Sequence, residues 1–509
     1  MRRAMLAVLA ATVLSLPALA HFAGSAREVK AAGDEPGHPA RKTAIGINLS
    51  PLQTFNRQPV FANMILQSEW FQSRGAAWTA FPASQLDADG WVRFLEPGQV
   101  APRPLMLPAP PFRSTAVRCT YAGRGELSAG GVARLRGSGV QSLDLEVTPT
   151  GAPDEGAWLV LTRTDPADPV RDIDCRAAGT PANARFDPRF LEFVADFAVV
   201  RFMDWQQTNA NAVVPWSRRS QPRSASQAGP AGVSVEDMVD LANATGTDPW
   251  FNMPYHADQE YVRAFARLVH ERLDPGRTVY VELGNEVWND IFAAAADARS
   301  EGLARGLGGG DAGTARMERY AQRMVEVMKV WTEVYADRPR ALVRVAASQN
   351  ANPTLARIVL DYRDSADWVD ALATAPYFWL DLAGRKVDDV DAIFAQVPDA
   401  IAASYAMARE NQRIAADHGK RYIAYEGGQH LVTPDIALAR ALQRDPRMGE
   451  AYTRYLAGWR DGFGDTLNLY ASTAPIAWYG SWGLREFAGQ PEAETPKYRA
   501  LRKFLKGQP

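Results

Sequence analysis

The chain has 509 residues, of which 47% are hydrophobic and 22% are charged, so it is long enough for one large globular domain and a smaller one. Its formal net charge of −2 gives no electrostatic reason to expect nucleic acid or an anionic membrane surface as a partner. The composition therefore favours an ordinary globular protein and excludes a strongly basic polyanion-binding one.

The N-terminus carries a targeting pattern. A pair of arginines precedes an apolar run that ends in Ala-Leu-Ala, which resembles a small-x-small cleavage site. The run is too short to be a convincing membrane span. It predicts a signal peptide over residues 1–20, a secreted or periplasmic protein, and no membrane contact after cleavage. Residues 21–42 are small, polar and rich in Pro and Gly, which predicts a flexible linker.

From residue 43 onward, short β-branched and aromatic runs alternate with amphipathic patterns. The apolar spacing predicts helices over residues 261–273 and 315–335, and Ser234 is a candidate N-cap. Eight such alternations predict a parallel sheet closed into a (β/α)8 TIM barrel. An open doubly wound sheet is the rival, although no Gly-x-Gly-x-x-Gly follows the first strand. The predicted strands are residues 44–50, 197–205, 249–255, 279–286, 341–349, 368–377, 421–426 and 475–480.

Residues 86–178 break this alternation. They contain short β-type runs separated by Gly-rich turns, without a long amphipathic helix. This pattern predicts a small antiparallel β-sandwich-like domain inserted after the first barrel strand. The barrel would then comprise residues 43–85 and 179–509. The role of the insert does not follow from its sequence.

The chain contains two cysteines, Cys119 and Cys175. Both lie in the predicted insert, and an exported chain meets oxidising conditions, so a disulfide between them is a reasonable expectation. Two unpaired buried thiols are the alternative. Neither the cysteine spacing nor the six histidines match a metal-ligand pattern, so we expect no metal site.

The most informative motif is Val279-Tyr-Val-Glu-Leu-Gly-Asn-Glu-Val-Trp-Asn289. Its β-branched start reads as a buried strand, and the strand runs directly into Asn285-Glu286. The later strand over residues 421–426 ends in the same way, at Glu426. Functional groups of a parallel barrel lie at the C-terminal ends of its strands, so both carboxyls should face the same opening.

Two facing carboxyls are the equipment of a sugar-cleaving site. A retaining glycosidase holds them roughly 5–5.5 Å apart, one protonated to act as an acid and the other ionised to attack the anomeric carbon. Like charges at short range raise one of the two pKa values, which separates the roles. The sequence therefore predicts that Glu286 and Glu426 form an acid and nucleophile pair.

Gly284-Asn285-Glu286 and Glu426 resemble the clan A type of retaining (β/α)8 glycoside hydrolases, which includes endoglucanases, mannanases, arabinofuranosidases and heparanase-like enzymes. The resemblance covers roughly residues 43–85 and 180–505. It implies that Glu286 is the acid/base, that Glu426 is the nucleophile and that Asn285 hydrogen-bonds the sugar 2-hydroxyl, with no cofactor. The whole chain also resembles exported bacterial proteins labelled cellulose-binding.

The same resemblance implies further substrate-binding residues. Arg201 matches the clan's arginine that hydrogen-bonds the nucleophile, and Tyr377 lies where the clan often places a tyrosine beside it. Either Trp478 or Trp482 would stack on a sugar ring. Apart from the resemblance, His256 follows the third predicted strand and is a candidate to line the pocket. The alternatives are a structural salt bridge for the arginine, core packing for the aromatics, and a surface or core position for the histidine.

Glu282 competes with Glu286, because both have the same strand parity. We expect Glu282 to be a structural carboxylate paired with an arginine. Asp204, Trp205 and Trp288 are softer candidates for outer subsites, each with a packing alternative.

Two function classes remain after these observations. The first is a secreted retaining glycosidase that cleaves an oligo- or polysaccharide by double displacement. The second is a non-catalytic carbohydrate-binding protein on a barrel scaffold. An esterase-like hydrolase is weaker, because no Gly-x-Ser-x-Gly elbow is present. Sugar identity, linkage, endo or exo action and oligomeric state do not follow from the sequence.

Overall fold

The structure is a computed structural model that describes residues 43–74, 78–110, 112–152, 155–210 and 215–507. The predicted signal peptide and linker, residues 1–42, lie outside the described residues. In the part of the chain that is described, no helix has both the length and the apolar character needed to cross a bilayer.

Eight parallel strands close into a barrel, which confirms the predicted (β/α)8 fold. The first strand pairs with the second on one side and with the eighth on the other, so the sheet has no free edge. In chain order, the first to eighth barrel strands are Ile45–Asn48, Val199–Arg201, Asp248–Met253, Val279–Leu283, Leu342–Ala347, Ala371–Thr374, Arg421–Ala424 and Leu467–Leu469.

The predicted eighth strand was wrong. The structure forms this strand at Leu467–Leu469, whereas residues 475–480 lie in the following loop and contain an isolated bridge between Ala477 and Gly480. Three residues are too few for a clear alternation of buried and exposed side chains. Pro475 also lacks the N–H group that a central strand needs, which argued against the later segment.

Helices cover the outside of the barrel. Ser234 accepts a hydrogen bond from the Asp237 backbone N–H and caps its helix as predicted. The helix over 261–273 is observed at Gln259–Arg272, where Phe265 and Val269 are buried against the sheet. The α-helices are Pro188–Val194, Val235–Thr245, Gln259–Arg272, Ala293–Ala304, Ala312–Val334, Pro353–Asp361, Val390–Asp417, Ile436–Arg444, Pro446–Gly462 and Pro496–Leu505.

The barrel interior changes character from one end to the other. Val199, Trp250 and Tyr280 belong to a buried apolar cluster nearer the N-terminal ends of their strands. Two residues farther along, on the same face of each strand, the positions become Arg201, Asn252 and Glu282. The lower half of the barrel is therefore a packed apolar core, and the upper half is polar.

The segment between the first and second barrel strands forms two antiparallel sheets. Both sheets contribute to one buried cluster, which begins at Ile65, before the predicted boundary at residue 86. A hairpin of Phe71–Ser73 and Trp78–Ala80 precedes them. One sheet contains Ala101–Leu105, Gly125–Gly131 and Ala157–Thr164, and the other contains Thr115–Ala122, Ala133–Gly139, Ser142–Val147 and Arg171–Ala177.

Cys119 and Cys175 face each other on neighbouring antiparallel strands of the four-stranded sheet. They are joined by a disulfide, and both are fully buried in the cluster between the sheets. The disulfide therefore closes a loop within the inserted region and does not tie that region to the barrel.

Candidate active site

Arg201 lies at the centre of a buried network in the polar half of the barrel. Its side chain is 0% exposed. Nη1 donates to Asn48 Oδ1 at 2.9 Å and to Glu426 Oε1 at 2.8 Å. Nη2 donates to Glu282 Oε1 at 3.1 Å and to Asn285 Oδ1 at 2.8 Å, and Nε donates to Glu282 Oε2 at 3.1 Å. All five N–H groups of the guanidinium are thereby used.

Glu282 is the structural partner of this arginine, as the sequence predicted. It is fully buried, and both of its carboxylate oxygens accept from Arg201. Oε2 also accepts from Trp250 Nε1 at 2.9 Å. A bidentate ion pair of this kind fixes the plane of the guanidinium, so the remaining Nη hydrogens point toward the strand ends.

Glu426 follows the seventh strand and is 6% exposed. Its Oε1 accepts from Arg201 Nη1, and its Oε2 accepts from Tyr377 Oη at 3.0 Å. Tyr377 itself follows the sixth strand, so two neighbouring strands and the second strand all contribute to holding this carboxylate. The structure thus brings together three of the predicted site residues.

Glu286 follows the fourth strand and is held by different groups. Its Oε1 accepts from Tyr425 Oη at 3.2 Å, and its Oε2 accepts from Asn289 Nδ2 at 2.8 Å. Its backbone has φ of +45°, two residues after Gly284 at +65°. A glutamate in the left-handed region is uncommon, and such conformations concentrate at functional sites.

The two glutamates interact through their charges. Burial, and then the negative charge of Glu426, raises the pKa of Glu286 to about 7. Burial also raises the pKa of Glu426, but there the Arg201 guanidinium is the largest opposing influence, followed by the hydrogen bond from Tyr377. Arg201 also lowers the pKa of Glu286, but less than the hydrogen bonds from Asn289 and Tyr425 do. The network therefore favours the ionised form on Glu426 and the protonated form on Glu286.

Asn285 lies inside the network, but both ends of its amide have protein partners. Its Oδ1 accepts from Arg201, and its Nδ2 donates to Asn209 Oδ1 at 3.1 Å. Its predicted contact with a sugar hydroxyl stays a prediction.

The remaining predicted residues lie at varying distances from this network. Trp482 is mostly buried; its Nε1 donates to His430 Nδ1 at 3.4 Å, and the His430 ring also contacts Tyr377. Trp478 is 46% exposed in the loop after the eighth strand. His256 is half-exposed and pairs with Asp297 at 2.9 Å, and its predicted place in the pocket stays a prediction.

Of the softer outer-subsite candidates, Trp205 is a core residue. It is 1% exposed and stacks on Phe61 and Phe190, which is the packing role that was its alternative. Trp288 is partly buried and packs against the main barrel core. Asp204 is at the barrel mouth, where its Oδ2 accepts a 3.4 Å hydrogen bond from Tyr470 Oη.

Three residues of the network were missed by sequence reasoning. Asn48 bridges Arg201 and the backbone carbonyl of Tyr425, while Tyr425 and Asn289 hold Glu286. A signal existed for two of them. Asn289 closes the motif that contains Glu286, and Tyr425 directly precedes Glu426. Asn48 gave no local signal beyond being the last residue of a strand.

In the described residues, no group of three or more His, Cys, Asp and Glu side chains is arranged to hold a metal ion. The chemistry available here is that of two carboxyls with unequal proton affinity, an arginine and two tyrosines.

Comparison with known proteins gives no family assignment. No family model matches the chain, and no curated protein matches it. Similar solved structures include an α-L-arabinofuranosidase from Thermotoga maritima in complex with arabinose, at 12% identity and a TM-score of 0.38, covering 63% of this chain and 64% of that one. The chain thus spans less than two thirds of that protein.

Two further solved structures have comparable values. A GH51 arabinofuranosidase from Xanthomonas axonopodis pv. citri gives 10% identity and a TM-score of 0.41, covering 64% of this chain and 68% of that one. A β-glucosidase from Thermotoga maritima in complex with castanospermine gives 9% and 0.35, covering 63% and 85%. Sequence identities and TM-scores this low do not assign an activity. The resemblance to exported proteins labelled cellulose-binding finds no support in these comparisons.

Proposed function

We propose that this protein is a retaining glycoside hydrolase in which Glu426 is the nucleophile and Glu286 is the acid/base. One observation carries the proposal. Two carboxyls at the ends of the fourth and seventh strands interact through their charges, yet only Glu426 is bonded to the buried cation Arg201. That asymmetry is what a nucleophile and an acid require of their surroundings.

In the first step, a carboxylate oxygen of Glu426 forms a bond to the anomeric carbon. The bond from that carbon to the glycosidic oxygen breaks, and the carboxyl proton of Glu286 goes to the departing oxygen. In the second step, Glu286 takes a proton from a water molecule, whose oxygen bonds to the anomeric carbon and releases the Glu426 carboxylate. Neither step needs a metal or an organic cofactor.

The protein partners support this assignment of roles. Tyr377 donates to Glu426 and Tyr425 donates to Glu286, so each carboxyl is oriented by a phenol from the end of a strand. The pKa of Glu286 at about 7 keeps much of it protonated near neutral pH, as an acid requires. The N-terminal signal pattern adds the proposal that the enzyme acts outside the cytoplasm, on an oligo- or polysaccharide.

The test begins with a panel of polysaccharides and aryl glycosides and the wild-type protein, with release of reducing ends or of the aryl alcohol as the readout. On the best substrate, Glu426→Ala should lower kcat by about 10⁴-fold or more, and azide should restore part of the rate by replacing the missing nucleophile. Glu410→Ala, which removes an exposed glutamate on an outer helix, is the matched control. Full activity of Glu426→Ala would remove the nucleophile assignment.

A non-catalytic carbohydrate-binding protein is the second candidate, and the low exposure of Glu426, 6%, favours it, because a nucleophile must reach its substrate. One experimental result distinguishes the two candidate functions. Binding of a polysaccharide by the wild-type protein without turnover of any substrate on the panel would favour binding alone.

A further inference from the structure

Asp204 is a third carboxyl group at the barrel mouth. It follows the second strand, whereas its hydrogen-bond partner Tyr470 follows the eighth. The second and eighth strands flank the first, so this contact spans the end of the first strand, on the side where the strand ends gather. Glu426, at the end of the seventh strand, carries a charge that contributes to raising the pKa of both Asp204 and Tyr470.

Asp204 differs from its neighbours in its partners. Glu282 and Glu426 are both paired with Arg201, and Glu286 accepts two hydrogen bonds. Across the described ranges, the Asp204 carboxyl enters no ion pair, and its one hydrogen bond is the 3.4 Å contact with Tyr470. A carboxyl that is poorly satisfied by the protein is free to bond to a bound molecule.

Among the described residues that directly follow the second, fourth, sixth, seventh and eighth strands, no spare cation is present; Arg57, in the loop after the first strand, lies over the Phe112 ring of the inserted region. The five N–H groups of Arg201 are all donated to protein acceptors. Burial lowers the pKa of His430 to about 4, so its ring is neutral near pH 7. Neither lysine nor arginine occurs in the segments that directly follow the second, fourth, sixth, seventh and eighth strands, namely residues 202–210, 284–292, 375–382, 425–435 and 470–484.

Arginines do occur farther along the loop after the second strand, but that part of the loop packs against the outer helices. Trp216 packs edge-on against Tyr261 of the outer helix Gln259–Arg272, with ring centroids 5.4 Å apart. Arg219 pairs with Glu236 at 2.7 Å, on the same outer layer. A substrate carboxylate at the strand ends would therefore meet carboxyl groups without a compensating cation.

We propose that Asp204 contacts the sugar bound between Glu286 and Glu426, and that the site prefers an uncharged sugar unit to a uronic acid. This inference rests on the proposed glycosidase function and names its substrate class. Burial and the charge of Glu426 raise the pKa of Asp204 to about 7, so near neutral pH a large share of this carboxyl carries its proton. It then donates its O–H to a sugar hydroxyl and accepts from another.

The first experiment uses pairs of 4-nitrophenyl glycosides that differ at C6, such as a glucoside with its glucuronide and a galactoside with its galacturonide. We expect the uncharged member of the pair that is turned over to have the higher kcat/KM by about tenfold or more, because a uronate would add a like charge beside Glu426. A higher kcat/KM for the uronide would overturn the charge preference.

The second experiment tests Asp204 itself. Asp204→Ala should lower kcat/KM for the uncharged glycoside by about tenfold to a hundredfold, because it removes a buried polar contact. Asp204→Asn retains a donor and an acceptor of the same shape and should stay within about threefold of the wild type at pH 6. Asp290→Asn is the control, since Asp290 lies in the loop after the fourth strand but pairs outward with Arg299 and Arg316.

Equal kcat/KM values for Asp204→Ala and the wild type would show that Asp204 does not touch the sugar. Thermal unfolding of each variant separates a folding defect from a binding defect, and Asp204→Asn gives a second reading if the alanine variant does not fold.

The two proposals fail in different ways. If the wild type hydrolyses no glycoside, the proposed hydrolysis fails, and the same variants are compared by calorimetric titration with uncharged and uronic-acid-containing oligosaccharides. Binding of the uncharged sugar that is lost in Asp204→Ala and kept in Asp290→Asn would still support the substrate class. Preferential binding of the acidic oligosaccharide, or no binding of either kind, would overturn it.

Discussion

The barrel and the inserted region each bury an arginine completely, and the two arginines are held in opposite ways. Arg103 lies in the insert core, where it donates to the backbone carbonyls of Ile65, Ser68 and Ala225 and lies over the Trp70 ring. Burial lowers its pKa to about 9. Arg201 lies among carboxylates, chiefly Glu282 and Glu426, whose charges raise its pKa above its usual value.

The contrast between the two arginines indicates that a buried charge marks a functional site only through its partners. Backbone carbonyls and aromatic faces have no proton to give or take, so the contacts of Arg103 with them fasten the 65–68 segment to its sheet. The carboxylates around Arg201 can change protonation state, and each such change alters the charge of its neighbours.

The largest effect on stability should come from Arg201→Met. This change leaves Glu282 and Glu426 buried without their cation, and breaking a buried ion pair from one side costs about 3–5 kcal/mol. Denaturant unfolding at pH 7 measures the loss. The double variant Arg201→Met with Glu282→Met should recover part of it, because one of the two uncompensated buried carboxylates is removed. A wild-type unfolding free energy in Arg201→Met would contradict the description of the network.

A smaller loss of stability should follow removal of the disulfide. Cys119→Ala with Cys175→Ala should destabilise the protein by about 2–4 kcal/mol, since the bridge restricts the unfolded chain. The effect should be confined to the insert, because both cysteines belong to its core. Hydrogen exchange of the two regions, measured separately, checks this; equal loss of protection in barrel and insert would show that they unfold as one unit.

Arg103→Met should cost less than Arg201→Met, about 1–3 kcal/mol. It removes donors from backbone carbonyls, and the carboxylate whose charge acts on it, Glu69, is an exposed residue. Its catalytic rate on any substrate found should equal that of the wild type after correction for the folded fraction. Parallel denaturant curves for the two methionine variants give the comparison directly, and a larger loss for Arg103→Met would reverse it.

The smallest effect should be the pH dependence contributed by Glu286. Its folded pKa, about 7, is raised above the usual value of 4.5. The folded state therefore binds this proton more tightly, and the associated stability is fully present below about pH 4.5 and lost as the pH rises to about 7. Glu286→Gln does not titrate, so relative to the wild type it should gain roughly 1–3 kcal/mol between pH 4.5 and pH 8.

Unfolding curves of Glu286→Gln, the wild type and Asp290→Asn at these two pH values test this expectation. Asp290 is exposed at the loop surface, so its variant should follow the wild type at both pH values. A constant difference between Glu286→Gln and the wild type would contradict the raised pKa.

The barrel fold and the positions of both glutamates could be predicted from the sequence, for a physical reason. A buried strand that stops at a polar residue exposes that residue at the strand end, and this pattern is local. Glu282 was also predictable, because its parity points inward and a buried carboxylate needs a cation.

Other features depend on contacts between residues that lie far apart in the sequence. Asn48 bonds to the Tyr425 carbonyl, 377 residues away along the chain, so no window of sequence contains both groups. The eighth strand has three residues, too few for a pattern to emerge, and the adjacent aromatic loop imitated a strand. His256 follows the third strand as a site residue would, and it pairs with an acid on an outer helix, Asp297.

The central claim is that Glu426 is the nucleophile, and covalent trapping tests it most directly. The wild type is incubated with the 2-deoxy-2-fluoro analogue of its best glycoside, which slows release of the glycosyl-enzyme, and the labelled peptide is sequenced by mass spectrometry. We expect one glycosyl group, attached to Glu426. A label on Glu282 or Glu286, or turnover of substrate with no covalent label at all, would contradict it.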